Sequence, residues 1–364
     1  MIRATIGVLG SRVALNHMRV FVYEFVSGGG MWSTGNAPLG SLLSEGRAMA
    51  QSIVADFEDC GADVWSMLDT RLVESSKGQV ERVGSAEQER DAFLRLTAAA
   101  DWTVVIAPEF EGNLLRRCQW VLEAGGRMLS PGPGTVALAS DKQKTADHLA
   151  VHGIRVPSGM RLAGPSSVSN VPLALFPAVI KPLDGCGSRG VQRVDRAVQL
   201  GALVDGTPQR LERFIPGLPA SLAVLCGPNS HVPLPACEQI LSGDGRFSYL
   251  GGRTPLPTLL DERAQKHALL AVRTLPDPLG YVGVDLVLGT DLDGRDDHVI
   301  EINPRLTTSY AGLRALCRAN LAAAMLAVAE GQVPALSWHD GVVEFSADGR
   351  VNAIDRTVDE STDR

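Results

Sequence analysis

Short apolar runs alternate with amphipathic stretches along the first part of the chain. Residues 20–26, 62–67 and 102–107 read as strands, and residues 42–60, 86–99 and 114–125 carry helical spacing. That alternation predicts an α/β unit, a small parallel sheet flanked by helices. The turn cluster Ser130-Pro-Gly-Pro-Gly134 closes it. A short helix over 141–153 stops at Gly153. Beyond it the strands are brief and divided by glycine and proline: 178–181, 191–194, 211–215, 221–226, 282–288 and, last, 299–302. A helix over 312–330 follows, and the polar residues after Ala347 predict a frayed tail.

Composition narrows the function classes. The chain has 364 residues, 45% apolar and 21% charged, enough for two or three lobes around ordinary cores. A net charge of −7 without a basic cluster argues against nucleic acid as a partner. The strongly apolar stretch Leu321–Ala329 is too short to span a membrane. Six scattered cysteines without a CxxC pair read as reduced thiols in a cytoplasmic protein. The first 17 residues break their apolar content with Gly10, Arg12 and Asn16, which does not suit a signal peptide. Residues 1–17 therefore read as a loose extension before a strand that starts at Arg19. Of 34 basic residues only Lys77, Lys142, Lys144, Lys181 and Lys266 are lysine. A chain so biased toward arginine can keep lysine where a compact ammonium is needed, as in a tight phosphate site.

Two motifs carry chemistry. In the first, Tyr281-Val-Gly-Val-Asp-Leu-Val-Leu288 and Val299-Ile-Glu-Ile-Asn-Pro-Arg305 flank a polar link at Asp293-Gly294, which predicts a hairpin. Folding about Asp293 sets Asp285 opposite Glu301, and the two-residue period puts Asn303 on the same face as Glu301. Three oxygen ligands then converge, a set that suits Mg²⁺ or Mn²⁺. Two solvent-facing acids would be the ordinary reading, but their neighbours are almost wholly apolar, so buried acids need a partner. In the second motif, Lys181 ends an apolar strand and the loop Asp184-Gly-Cys-Gly-Ser-Arg-Gly190 follows it. Gly185, Gly187 and Gly190 spell GxGxxG, the mark of a dinucleotide site. Pro182 and the strand-like residues 191–194 refuse that context. A glycine loop between two strands can instead fold over a triphosphate, with Lys181 neutralising its oxygens.

In order, Ser140-Asp-Lys-Gln-Lys-Thr145, the Lys181 strand and loop, Glu212-Arg-Phe-Ile-Pro-Gly217, residues 283–288 and residues 301–305 resemble the successive motifs of the ATP-grasp superfamily. The resemblance implies two α+β lobes, 140–215 and 216–335, clasping ATP behind a pre-ATP-grasp domain at 18–139, with a C-terminal tail at 336–364. It implies that Lys142 and Lys181 contact phosphates, with Gly185, Gly187, Ser188 and Gly190 above them. It places Glu212, Arg213 and Phe214 at adenine, Asp285, Glu301 and Asn303 on the metal, and Arg305, with Lys181, at the reacting centre. The chain departs from the family at Leu218-Pro-Ala220, where many members carry a ribose-binding glutamate. It departs again at Gly283, where related ligases carry an arginine, a role open to Arg305 or Arg253.

Residues 18–30 and 303–312 resemble, more narrowly, the branch that joins tyramine to glutamate in making methanofuran-type cofactors. That likeness implies that Glu24, Ser27, Gly28, Gly29, Gly30, Glu109 and Arg253 face the substrates, a small carboxylate and an amine. The implied reaction is ATP-dependent amide formation through an acyl phosphate. Another peptide or D-amino-acid ligase, a nucleotide-binding regulator without catalysis and a dinucleotide-dependent oxidoreductase are the alternatives, and a homodimer stays open.

Overall fold

The computed structural model describes residues 17–73 and 78–354, with Leu15 and the short pair β1 (Val8–Leu9) and β2 (Arg12–Val13). Most of the expected N-terminal extension, and Lys77, lie outside the described residues. Leu15 is buried, and its amide donates to the Cys60 carbonyl at 2.8 Å.

The N-terminal unit follows the predicted alternation. Strands β3 (Arg19–Glu24), β4 (Asp63–Asp69), β5 (Gln79–Val83) and β6 (Trp102–Ile106) form a fully parallel sheet in the order β5-β4-β3-β6. Along β3, Val20 and Val22 pack on α1 (Ser41–Asp59), whereas Phe21 and Tyr23 pack on α2 (Ala86–Ala99) and α3 (Asn113–Glu123). Such two-sided burial is what a parallel sheet requires. β5, only partly buried and polar, has no apolar run to announce it.

A second, all-antiparallel sheet joins β7 (Gly159–Leu162), β8 (Ala178–Pro182), β9 (Gln192–Val194) and β10 (Gln209–Arg213) in the order β7-β10-β8-β9. Before it come α4 (Pro133–Ala139) and α5 (Lys142–Val151). Asp141 starts α5 by accepting from the Gln143 and Lys144 amides, both at 3.0 Å, as an N-cap should.

The largest sheet has eight strands. Its path is β16 (His298–Asn303), β15 (Gly280–Leu288), β11 (Leu218–Cys226), β13 (Cys237–Leu241), β14 (Tyr249–Thr254), β17 (Val342–Ser346) and β18 (Val351–Ile354), with β12 (His231–Pro233) on β11. Val282, Val284 and Leu286 bury one face under α6 (Thr258–Val272). Asp285 therefore points to the other face. Two expectations need correction here. Residues 299–302 do not hold the last strand, and the part of the tail expected to fray after Ala347 includes β18, which with β17 extends the sheet beyond β14. The helix expected over 312–330 is two: α7 (Ser309–Leu316) and α8 (Leu321–Ala329). Asn320 breaks it by capping α8, its side chain accepting from Ala323 N at 3.0 Å.

Helix α1 lies between the parallel sheet and α7–α8, so one core runs from Val20 and Ile53 to Met325 and Leu313. Asp56 fixes it there, accepting from Tyr310 Oη at 2.6 Å and from the Arg314 guanidinium at 2.6 and 2.9 Å.

Candidate active site

The β15–β16 hairpin pairs Asp285 with Glu301 and Gly283 with Asn303, as the sequence predicts. A register shift after Asp285 leaves Ile300 without a partner, a bulge that turns Ile300 and Glu301 alike toward one cavity. Asn303 Nδ2 donates to Asp285 Oδ2 at 3.0 Å, and Gln239 on β13 donates to Asp285 Oδ1 at 3.1 Å. Burial, and then the Glu301 charge, push the Asp285 carboxyl up to about 6. Two facing carboxylates repel when no cation lies between them.

Opposite stand the groups of the small sheet. Lys181 Nζ lies 2.5 Å from Glu212 Oε1, and Arg210 Nε lies 2.7 Å from Glu212 Oε2, all three being buried. Arg210 also donates to Gln143 Oε1 and the Pro157 carbonyl, at 2.6 and 2.9 Å. Lys142 spans the two sides: its ammonium meets Glu301 Oε1 at 2.7 Å and the Gly185 carbonyl at 2.9 Å. Burial alone would lower its pKa, but Glu301 outweighs that and the net shift is upward.

The glycine loop joins β8 to β9 in a hairpin, as expected. Gly187, Ser188 and Gly190 hold φ of 63°, 57° and 72°, a left-handed run in which successive N–H groups can cradle an anion. Gly187 and Ser188 line the cavity; Gly190 turns aside and packs against Pro182. Glu111 N donates to Asp184 Oδ2 at 3.1 Å, tying the loop to the N-terminal unit.

These groups surround one cavity of about 310 Å³, lined also by Arg213 and by Phe214, whose ring stacks on Phe247 with centroids 6.1 Å apart. Arg305 enters it, buried and gripped by Glu109 at 2.8 and 3.3 Å. Burial opposes the Arg305 charge, yet Glu109 more than restores it.

The residues expected to face substrate divide. Glu24 lines a small adjoining cavity of about 30 Å³ but is held by Val26 N, Ser27 N and Ser27 Oγ at 3.0, 2.7 and 2.6 Å. Ser27 and Gly28–Gly30 lie off both cavities, a correction with a packing cause. A Cβ on Gly28 would come within 2.4 Å of the Glu24 carbonyl, and one on Gly30 within 2.3 Å of the Phe25 ring. Arg253 is corrected too: it is half exposed, off the cavity, and paired with Glu344 at 3.2 Å. Glu109 lines neither cavity and is engaged through both oxygens by Arg305.

Sequence reasoning missed Arg210, Gln239, Phe247 and Glu45. Arg210 carried a signal, since it sits two residues before Glu212 on a strand and so shares its face. Gln239 and Phe247 carried none, because β13 and β14 were not legible. Glu45 looks like any acid on an amphipathic helix.

The fold and this constellation define a nucleotide-clasping enzyme of two lobes. Residues 139–309 match the ATP-grasp domain and residues 62–136 the pre-ATP-grasp domain, so the chain belongs to the ATP-grasp superfamily. A curated relative is the tyramine–L-glutamate ligase of Methanocaldococcus fervens, 22% identical over 75% of this chain and 84% of its own. Among solved structures, an ATP-grasp superfamily protein from Archaeoglobus fulgidus superposes with a TM-score of 0.69 at 22% identity, covering 90% of this chain and 92% of that one. The N5-carboxyaminoimidazole synthetase of Staphylococcus aureus, complexed with ADP, gives 0.69 at 13% identity over 92% and 84%. Among the described residues no helix is long and apolar enough to cross a membrane.

Proposed function

We propose that the enzyme joins L-glutamate to an aromatic amine such as tyramine or tyrosine, converting ATP to ADP and phosphate through an acyl phosphate. One observation carries the mechanism: Lys142, Lys181, Asp285, Glu301, Asn303 and Arg305 all line one cavity. The substrates rest on the name of the Methanocaldococcus relative and on the shared motifs.

The donor set fits a hard cation. It offers two carboxylates and an amide, and the upward shift of Asp285 marks negative charge that a cation would offset. Among the described residues no group of three or more His, Cys, Asp or Glu is placed to hold a metal, so phosphate oxygens or water would complete the shell. Asp285, Glu301 and Asn303 would hold Mg²⁺ or Mn²⁺, which when bound supplies positive charge beside the phosphates.

The chain's own residues do the rest. Lys181, fixed by Glu212, presents its ammonium to the phosphates, and the left-handed run at 187–188 offers backbone N–H groups. Phe214 and Phe247 provide apolar faces for the base. The substrate carboxylate attacks the γ-phosphorus in line, and Arg305, oriented by Glu109, steadies the charge at the reacting centre. The amine then displaces phosphate from the acyl carbon. The glycine loop, tied down by Glu111 and Lys142, keeps water from that intermediate.

An ADP-release screen tests the reading, with L-glutamate offered against tyramine, tyrosine and other amines. ADP release that needs both glutamate and an aromatic amine is the expected result. Turnover with D-alanine alone would refute the substrates, and ADP release with no acid and amine pair would refute the ligase.

A further inference from the structure

An amine reaches the acyl phosphate as an ammonium and must shed a proton before it can attack. Three acids stand near enough to receive it, and the structure disposes of two. Both oxygens of Glu24 are taken by the Val26 and Ser27 groups, and both oxygens of Glu109 by Arg305. Cys186 lines the same space, but burial, and then Glu109, push its thiol up to about 12. Lys142 is committed to Glu301.

Glu45 is different. It lies in the second turn of α1, half-buried, and lines both the main cavity and the small one beside Glu24. Among the described residues its carboxylate has no hydrogen bond or ion pair. The neighbouring Gly46 lets the helix settle onto Glu24, where a Cβ would come within 2.4 Å of Glu24 Oε1. The helix is anchored at its far end through Asp56, so Glu45 is presented from a rigid element.

We propose that Glu45 seats the ammonium of the incoming amine and takes its proton, an assignment that rests on the ligase reading above. The small cavity, about 30 Å³, has room for an ammonium but not for an aromatic ring, so the body of the amine stays in the main cavity. Arg305 and Cys186 stand on the small cavity's wall with the apolar Leu42, Met49 and Ile106, and the apolar part suits a primary amine on a hydrocarbon stem. One proton passes from nitrogen to Glu45. The free amine forms the C–N bond, the bond from carbon to the phosphate oxygen breaks, and phosphate leaves with that electron pair and a second nitrogen proton. The titratable and charged groups that share the small cavity with Glu45 are Arg305, Cys186 and Glu24. Burial raises its pKa and the Arg305 charge partly offsets this, leaving a better base than a solvated glutamate.

Hydroxylamine separates this role from the rest of the reaction, because it is unprotonated at neutral pH and traps acyl phosphates as hydroxamates without a base. With ATP and L-glutamate, Glu45→Gln should lose amide formation with tyramine by about 10²- to 10⁴-fold while hydroxamate formation falls far less. Its residual amide rate should climb with pH as free tyramine accumulates, and Glu45→Asp should recover part of the loss. Equal loss of hydroxamate and amide in Glu45→Gln, or no loss of amide, overturns the assignment. Wild-type enzyme that gives neither product overturns the ligase reading and this one with it, a pattern distinct from failure of the variant alone.

Discussion

The two sides of the cavity carry opposite charge and differ in how it is balanced. On the small sheet Lys181, Glu212 and Arg210 form a closed set, each charge met at 2.5–2.7 Å inside the protein. On the hairpin Asp285 and Glu301 face one another; Lys142 contacts Glu301, and the Arg305 charge acts on Asp285 from further off. The first side is finished before any ligand arrives. The second keeps two facing carboxylates, with the Asp285 carboxyl pushed up to about 6 by burial and by the Glu301 charge. A buried pair broken on one side leaves an uncompensated charge, at a cost of about 3–5 kcal/mol. Lys181 is thus held in place by its own counter-ion, whereas the acidic hairpin carries facing carboxylates whose repulsion a cation would relieve.

The largest effect expected from this contrast is at Glu301. Glu301→Ala should lower ADP release on the order of 10³-fold, the scale of losing one preorganised electrostatic group at the reacting centre. The fold should persist, since Glu301 is only partly buried and Lys142 keeps the Gly185 carbonyl. Circular dichroism together with coupled ADP assays checks both halves, and retained turnover would break the comparison at once.

Lys181→Ala should come next, with about 10²-fold lower turnover at saturating acid and amine. Because Arg210 still holds Glu212, this variant should fold, whereas Glu212→Ala should strand two buried cations and lose stability. Turnover of Lys181→Ala equal to wild type would show that the small sheet is structural rather than phosphate-binding.

The acidic side was the more legible in the sequence, and for a physical reason. A hairpin conserves the sum of paired residue numbers, so the polar link at Asp293 fixes the Asp285–Glu301 register; only the bulge at Ile300 escapes that arithmetic. Strands β3, β4 and β6 were legible because both faces of a parallel sheet are apolar, whereas the polar β5 was not. β13 and β14 were not, since Gly251 and Gly252 interrupt the pattern. Those glycines answer to β17, far along the chain: a Cβ at Gly251 would meet the Phe345 carbonyl at 2.1 Å. In the same way Gly28–Gly30 look like a ligand loop locally and are packing glycines in three dimensions. Which acid stays unpaired, Glu24, Glu109 or Glu45, depends on contacts across three elements, and no local pattern encodes it.

Asp285 sharpens the comparison through pH. Its carboxyl is raised from 3.8 to about 6 in the folded protein, so the folded state holds the proton more tightly than the unfolded chain. Stability from this group is then lost as pH rises between those two values, and the full cost is present above them. Asp285→Asn removes that cost while its amide oxygen still accepts from Gln239 or Asn303. Without nucleotide or metal, Asp285→Asn should be about 1–3 kcal/mol more stable than wild type at pH 7.5 and no more stable at pH 4. Added Mg²⁺-ATP should shrink or reverse the difference, since it stabilises the wild-type site. Thermal melts at the two pH values measure this, and a wild type that is the more stable at pH 7.5 without ligand would mean that the hairpin is not strained.

The smallest effect belongs to a residue outside both sides. Arg253 lies on the same sheet as Asp285 and is a sequence candidate for gripping the substrate carboxylate, but it lies off the cavity that Arg305 lines. Its guanidinium is half exposed and meets a half-exposed Glu344, a pair of the kind worth about 0–1 kcal/mol. Arg253→Ala should therefore keep kcat and the KM for the acid within about twofold of wild type, and lower stability by less than about 1 kcal/mol. Arg305→Ala, measured alongside, should lose turnover on the order of 10²-fold or more. A large rise in the KM for L-glutamate in Arg253→Ala alone would place the carboxylate beyond the cavity, at the β14 edge, and would remove Arg305 from substrate contact. Similar losses in both variants would instead mean that the two arginines meet in a conformation that brings β14 to the reacting centre.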